Sequence, residues 1–268
     1  MTDLTEFLEL FTFPFVQNAL IAGSLISITA AMLGVILVLK HYSLIGHGLS
    51  EIGFASLSLA AALEIPAMMI AIPAVILASF AIMLISQKYR TAGDIAIALA
   101  SSFALSLGVI ISSLSGKSSS MSGYLFGSVL AVTQADLILS LVISILVITA
   151  FVAFYNRLFL ITYNEDYAKT LGINITLYQF LISLMTALII VTGMRIMGTL
   201  LISGVIILPA VCAKSLAKSF RSLVIIAAFI SFLAFISGLM LSFLINLPAG
   251  ASVILANTLI LILVKILS

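Results

Sequence analysis

The sequence predicts an all-α, polytopic transmembrane protein of about nine spans, and three observations carry that prediction. Hydrophobic residues fill 63% of the 268 positions and charged residues only 7%, too little charge to cover a water-soluble domain of this length. Mean hydropathy is +1.39. Apolar runs repeatedly reach the ~18–20 residues that cross a bilayer as a helix.

With Gly, Pro and charge as punctuation, the spans fall near 15–39, 46–63, 66–86, 93–114, 135–157, 177–195, 198–213, 222–245 and 249–267. They read as a single membrane domain over residues 1–268. The second and seventh are short and contain Gly or Pro, which permits broken or re-entrant helices. The first fourteen residues carry Asp3, Glu6 and Glu9 and no Lys or Arg, opposite in charge to a secretory signal. The chain is therefore expected to insert through its own spans. Starting outside places Lys40, Lys88, Arg90, Arg157, Lys169, Lys214, Lys218, Arg221 and Lys265 on the cytoplasmic side and leaves Lys117 and Arg195 on the other. That distribution obeys the positive-inside rule and puts the C-terminus in the cytoplasm.

Several function classes are excluded. A net charge of +2 without a basic block offers nothing to nucleic acid. Cys212, the one cysteine, rules out an internal disulfide and a Cys-based zinc site, and reads as a small buried hydrophobe. Gly-x-Ser-x-Gly and His-Glu-x-x-His are absent. Gly116-Lys117-Ser118 lies in a Ser-rich outer loop, but Ile111 stands where a phosphate-binding loop needs its first Gly, so this is a chance match. The chain is not expected to be an enzyme or to hold a resident cofactor.

The sharpest chemical signal is His47 and Glu51, four residues apart within the apolar stretch 42–55. On a helix they share one face. Ionisable groups at that depth are costly, about 2.5–3.5 kcal/mol for a charge on insertion scales. An imidazole and a carboxylate suit zinc, manganese or iron(II) without choosing among them. The competing reading is that the two bond each other or backbone groups and tie helices together. Asp94 opens the fourth span and Asp136 the fifth, the latter with Thr133 as a plausible cap. Arg195, near the outer end of a span, either snorkels to the interface, which we favour, or pairs with a carboxylate on a pathway. Glu64, beside Pro66, belongs in a tight outer loop. The longest polar cytoplasmic connection is 160–174. There Asn164 reads as an N-cap, Glu165 and Asp166 as an acidic first turn, and Gly172 as the stop. Such a helix either contacts a soluble partner or lies on the lipid surface.

At these residues the chain resembles the membrane subunits of ATP-binding-cassette importers for zinc, manganese and iron. Gln17-Asn18-Ala19-Leu20-Ile21-Ala22-Gly23 and Leu39-Lys40-His41-Tyr42-Ser43-Leu44-Ile45-Gly46 look like that family's opening. Gly93-Asp94-Ile95-Ala96-Ile97, Tyr124-Leu125-Phe126-Gly127, Arg195-Ile196-Met197-Gly198-Thr199 through Leu208-Pro209-Ala210, and Leu247-Pro248-Ala249-Gly250-Ala251 resemble its later blocks in order. Where the family usually has Asp and then His four residues later, this chain has His47 and Glu51. The resemblance implies the importer permease fold, a homodimer, two cytoplasmic ATPase subunits carrying the ATP chemistry, and an external binding protein that delivers the ion. It also implies a bacterial inner-membrane location. It makes the 164–173 segment a coupling helix, with Glu165, Asp166, Ala168, Lys169 and Gly172 facing the ATPase. His47 and Glu51 become contacts for the transported metal, zinc first and manganese next, with Asp94 and Arg195 as further pathway candidates. The rival expectations are a permease for a metal chelate such as a siderophore or cobalamin, and a non-transporting assembly or sensor subunit.

Overall fold

The computed structural model describes residues 13–88, 93–116, 123, 125, 127, 132–245 and 247–267. Its helices are α1 (Pro14–Leu39), α2 (Ser43–Leu63), α3 (Ala67–Lys88), α4 (Gly93–Leu114), α5 (Gln134–Ala153) and α6 (Tyr155–Tyr163). They continue with α7 (Glu165–Thr170), α8 (Ile175–Met197), α9 (Thr199–Leu216), α10 (Phe220–Ile245) and α11 (Ala249–Leu267). Each of the nine expected spans coincides with a helix. Among the described residues, eight helices are long and apolar enough to cross a membrane, and α3 contributes a shorter apolar stretch, Ala67–Ile82. The chain is a multi-pass, all-helical membrane protein.

Three expectations about the elements change. The fifth span does not run to residue 157: α5 ends at Ala153, and Phe154 separates it from α6. Hydropathy alone could not register that break. The second and seventh spans are continuous helices, not broken ones. In the second, Gly48 serves close packing, since a Cβ built on it would lie 2.7 Å from Ile97. Pro209 is buried within α9, where neighbouring helices surround the backbone it leaves unbonded. The expected outer loop falls partly at 117–122 and the Tyr124–Leu130 block partly at 124, 126 and 128–130, all outside the described residues. So do Asp3, Glu6, Glu9 and Arg90.

α1 and α8 form the centre. α1 is apolar on every side, as a helix enclosed by others should be, and two-thirds of its most apolar window is buried. It packs on α9, α10, α8 and α5, while α2, α3 and α4 pack together beside α8. The tightest approach is at Gly34 of α1, where a Cβ would lie 1.8 Å from the Ile206 carbonyl oxygen of α9. Only glycine allows two backbones so close, and small residues at helix contacts are how apolar helices gain packing in lipid. Buried hydroxyls add cross-links. Ser231 of α10 donates to the Ser27 carbonyl of α1 at 2.8 Å. Ser183 of α8 donates to Ser79 Oγ of α3 at 2.6 Å.

The up-and-down order gives the bundle two ends. One carries the α1–α2 corner and α6–α7, and the other carries the α8–α9 corner and the start of α5. Lys40, Arg157, Lys169, Lys214, Lys218, Arg221 and Lys265 all lie toward the first end, and Arg195 toward the second.

Candidate functional site

His47 and Glu51 occupy the second and third turns of α2. His47 Nε2 lies 3.2 Å from Glu51 Oε1, and the side chains are 48% and 14% exposed. The flanking glycines explain this exposure. Gly46 faces α9 and Gly48 faces α4, so residue 47 points between the two neighbours. Positions 47, 51, 55, 59 and 63 follow at four-residue steps, and each is partly or fully exposed, on a helix otherwise mostly buried. The two side chains lie against each other. Both members belong to one helix, however, so the pair ties no helices together. An i,i+4 pair exposed on both sides contributes only about 0.3–0.5 kcal/mol; here His47 is half-exposed and Glu51 largely covered. Among the described residues no cluster of three or more His, Cys, Asp or Glu exists. The chain thus brings one nitrogen and one oxygen of metal-ligand type together at this place.

The second feature is α7, whose ends are fixed as the sequence predicts. Asn164 Oδ1 accepts from the Tyr167 amide at 3.0 Å, with Glu165 and Asp166 in the first turn. At the far end Gly172 has φ +75°. The Gly172 amide bonds to the Lys169 carbonyl and the Ile173 amide to the Ala168 carbonyl, a Schellman ending that favours glycine. Ala168 does not face outward as a partner contact would. It is fully buried in the chain's own core, because on a six-residue helix against a bundle one side must pack inward. The outward side presents Asp166, Tyr167, Lys169 and Thr170. Glu165 also points inward: its Oε1 accepts from Lys40 Nζ at 2.6 Å and from Gln179 Nε2 at 3.2 Å. Sequence reasoning missed this contact, because its partners lie on three separate helices or corners.

At the opposite end Arg195 does not snorkel. Its Nε lies 3.0 Å from Asp136 Oδ1, with Asp136 buried and Arg195 40% exposed. Thr133 and Asp136 form a reciprocal capping box on α5, so Asp136 Oδ2 also accepts from Thr133 N at 3.1 Å and Thr133 Oγ1 at 2.7 Å. The buried carboxylate is saturated by the cap and the arginine, and the pair joins α5 to α8. Glu64 takes the left-handed cap position after α2, at φ 59°. Asp94 begins α4, but its side chain lies outside the described residues. Cys212 is buried.

The chain is thus a multi-pass bundle of membrane helices with a His and a Glu side by side on a partly exposed stripe and a short capped helix packed at one end. The chain belongs to the ABC 3 transport family, whose family model matches residues 12–268. It is 31% identical over 96% of its length, and 93% of the relative's, to the manganese import system permease protein ScaB of Streptococcus gordonii. It is 30% identical over 89% of its length, and 92% of the relative's, to the high-affinity zinc uptake system membrane protein ZnuB of Buchnera aphidicola. Among solved structures, PsaBC from Streptococcus pneumoniae in complex with Fab superposes with a TM-score of 0.88. The identity there is 28%, covering 97% of this chain and 95% of that one.

Proposed function

We propose that this chain is the permease subunit of an ATP-driven importer for a divalent metal, zinc or manganese, and that His47 and Glu51 contact the ion on its way. The observation that carries this is the partly exposed stripe of α2, which sets two metal-ligand types one turn apart and 3.2 Å from each other. Relatives named for manganese and for zinc support the cargo class, and a His-plus-carboxylate pair does not choose between those ions. Two ligands from each of two copies would make a four-ligand set, so a two-fold dimer about this stripe completes the site. ATP chemistry belongs to a separate cytoplasmic subunit docked on the outward side of α7, and an external binding protein delivers the ion. The test is the chain reconstituted with its ATPase in vesicles and offered a panel of metals. ATP-dependent accumulation of zinc or manganese is expected. Accumulation of neither, or of a siderophore or cobalamin instead, overturns the reading.

The proposed orientation has the α1–α2 corner and α7 in the cytoplasm, as the basic residues require. Buried Cys212 leaves introduced cysteines as the reactive ones. In intact cells an impermeant maleimide is expected to label Ser119→Cys and to spare Lys169→Cys until the membrane is opened. Labelling at 169 in intact cells reverses the topology.

A further inference from the structure

The Lys40–Glu165 contact joins places that chain order keeps 125 residues apart. Lys40 caps the C-terminus of α1, yet its side chain is only 4% exposed, against 36% for Glu165. A lysine at a bundle end ordinarily extends into water along its own stem. This one turns inward, 5.9 Å from the centroid of the Tyr42 ring, and places its ammonium on the first residue of α7. Gln179 of α8 holds the same oxygen.

Both ends of this contact are held firmly. On one side the α1–α2 corner is a Schellman ending, with the His41 amide on the Val38 carbonyl at 3.3 Å and the Tyr42 amide on the Leu37 carbonyl at 2.8 Å. His41 takes the left-handed position at φ 60°, where glycine is usual and histidine is among the better-tolerated substitutes. α2 starts at Ser43, and His47 follows in its second turn. On the other side α7 is capped at both ends and anchored by buried Ala168. This charged contact is thus a direct link from α7 to the α1–α2 corner, and the corner is continuous with the helix that bears His47 and Glu51.

We infer that Lys40 and Glu165 form the strut that transmits movement of α7 to α2, making Lys40 a positioning residue for the His47/Glu51 pair. This rests on the reading of α7 as the ATPase contact. The warrant is a physical connection between two firmly capped elements, and only a measured coupling tests it.

The experiment uses the complex with its ATPase, spin-labelled at Leu63→Cys at the far end of α2 and at Leu244→Cys at the same end of α10, both exposed positions, so that the distance between labels reads movement of α2 against a helix outside the contact. ATP is expected to shift the label-to-label distance in the otherwise unmodified protein. Lys40→Met removes the shift while the ATPase stays bound, and Lys40→Arg retains it. Metal moved per ATP hydrolysed falls about tenfold in Lys40→Met, within the 5–150-fold typical of coupling between sites. If Lys40→Met does not assemble, the charge exchange Lys40→Glu with Glu165→Lys carries the test. Its assembled complex regains a shift, smaller than the original because a lysine opposes the dipole at the start of α7. A shift that survives in Lys40→Met overturns the inference. So does an assembled exchange variant without one, or the absence of any shift in the unmodified complex. The distance readout needs no cargo. A complex that shows the shift but moves no metal would therefore defeat the cargo reading and leave the strut standing.

Discussion

His47→Ala is expected to reduce ATP-dependent metal uptake at least as far as the roughly 10–100-fold that loss of an outer-shell partner costs a metal site, because the proposed function makes His47 a direct contact of the ion. Glu51→Gln is expected to act comparably. It keeps the size of the side chain and an oxygen acceptor but withdraws the negative charge that favours a dication. Neither change should unfold the protein. The pair is confined to α2, and His47 is half-exposed, so water reaches the space its loss leaves beside the more covered Glu51. Uptake measured alongside thermal unfolding separates the explanations. Loss of uptake with an unchanged melting curve supports ligation. Normal uptake per folded molecule would show that His47 and Glu51 do not handle the ion. His47→Asp with Glu51→His, which restores the order usual in the family, is the informative companion. Recovered or improved uptake would show that the set of donors matters more than which position holds each.

What was legible in the sequence was local. Nine apolar runs identified nine helices because an 18–20-residue span is decided by composition within itself. The caps of α7 were legible for the same reason: Asn164, Glu165, Asp166 and Gly172 act on backbone groups a few residues away. The His47/Glu51 pair was legible as a shared face, and helix geometry fixes that. What required the structure was everything set by neighbours. Ala168 reads as part of a polar helix, yet the bundle buries it. Arg195 looks isolated between Met194 and Ile196, and its partner Asp136 arrives from another helix. Lys40 looks like one of many basic residues at a membrane boundary, and only the fold shows it turned inward onto Glu165. The α5–α6 break is invisible to hydropathy because both sides are apolar enough and the chain merely changes course at Phe154.

Arg195→Leu is expected to destabilise the protein by about 2–3 kcal/mol, somewhat below the 3–5 kcal/mol that follows when a fully buried pair loses one member. Asp136 is left buried with Thr133 N and Oγ1 as its donors, and the missing guanidinium is the positive charge that compensated it. The discount reflects Arg195's 40% exposure, since water can reach part of the vacated space. Asp136→Asn is expected to cost less, about 1 kcal/mol, because its amide oxygen still accepts from Thr133 and a half-exposed arginine stays hydrated. The order of the two variants is the test, since a symmetric surface pair would give small and equal losses. Combining them should recover part of the Arg195→Leu loss, because the neutral amide no longer needs a cation. Thermal unfolding of the purified protein in detergent reads all three. Uptake then decides whether this end of the bundle belongs to the route. If Arg195→Leu stops transport while its melting temperature is unchanged, the arginine acts on the cargo and its bond to Asp136 is incidental. If stability falls and each folded molecule still transports, the pair is the clasp that holds α5 against α8.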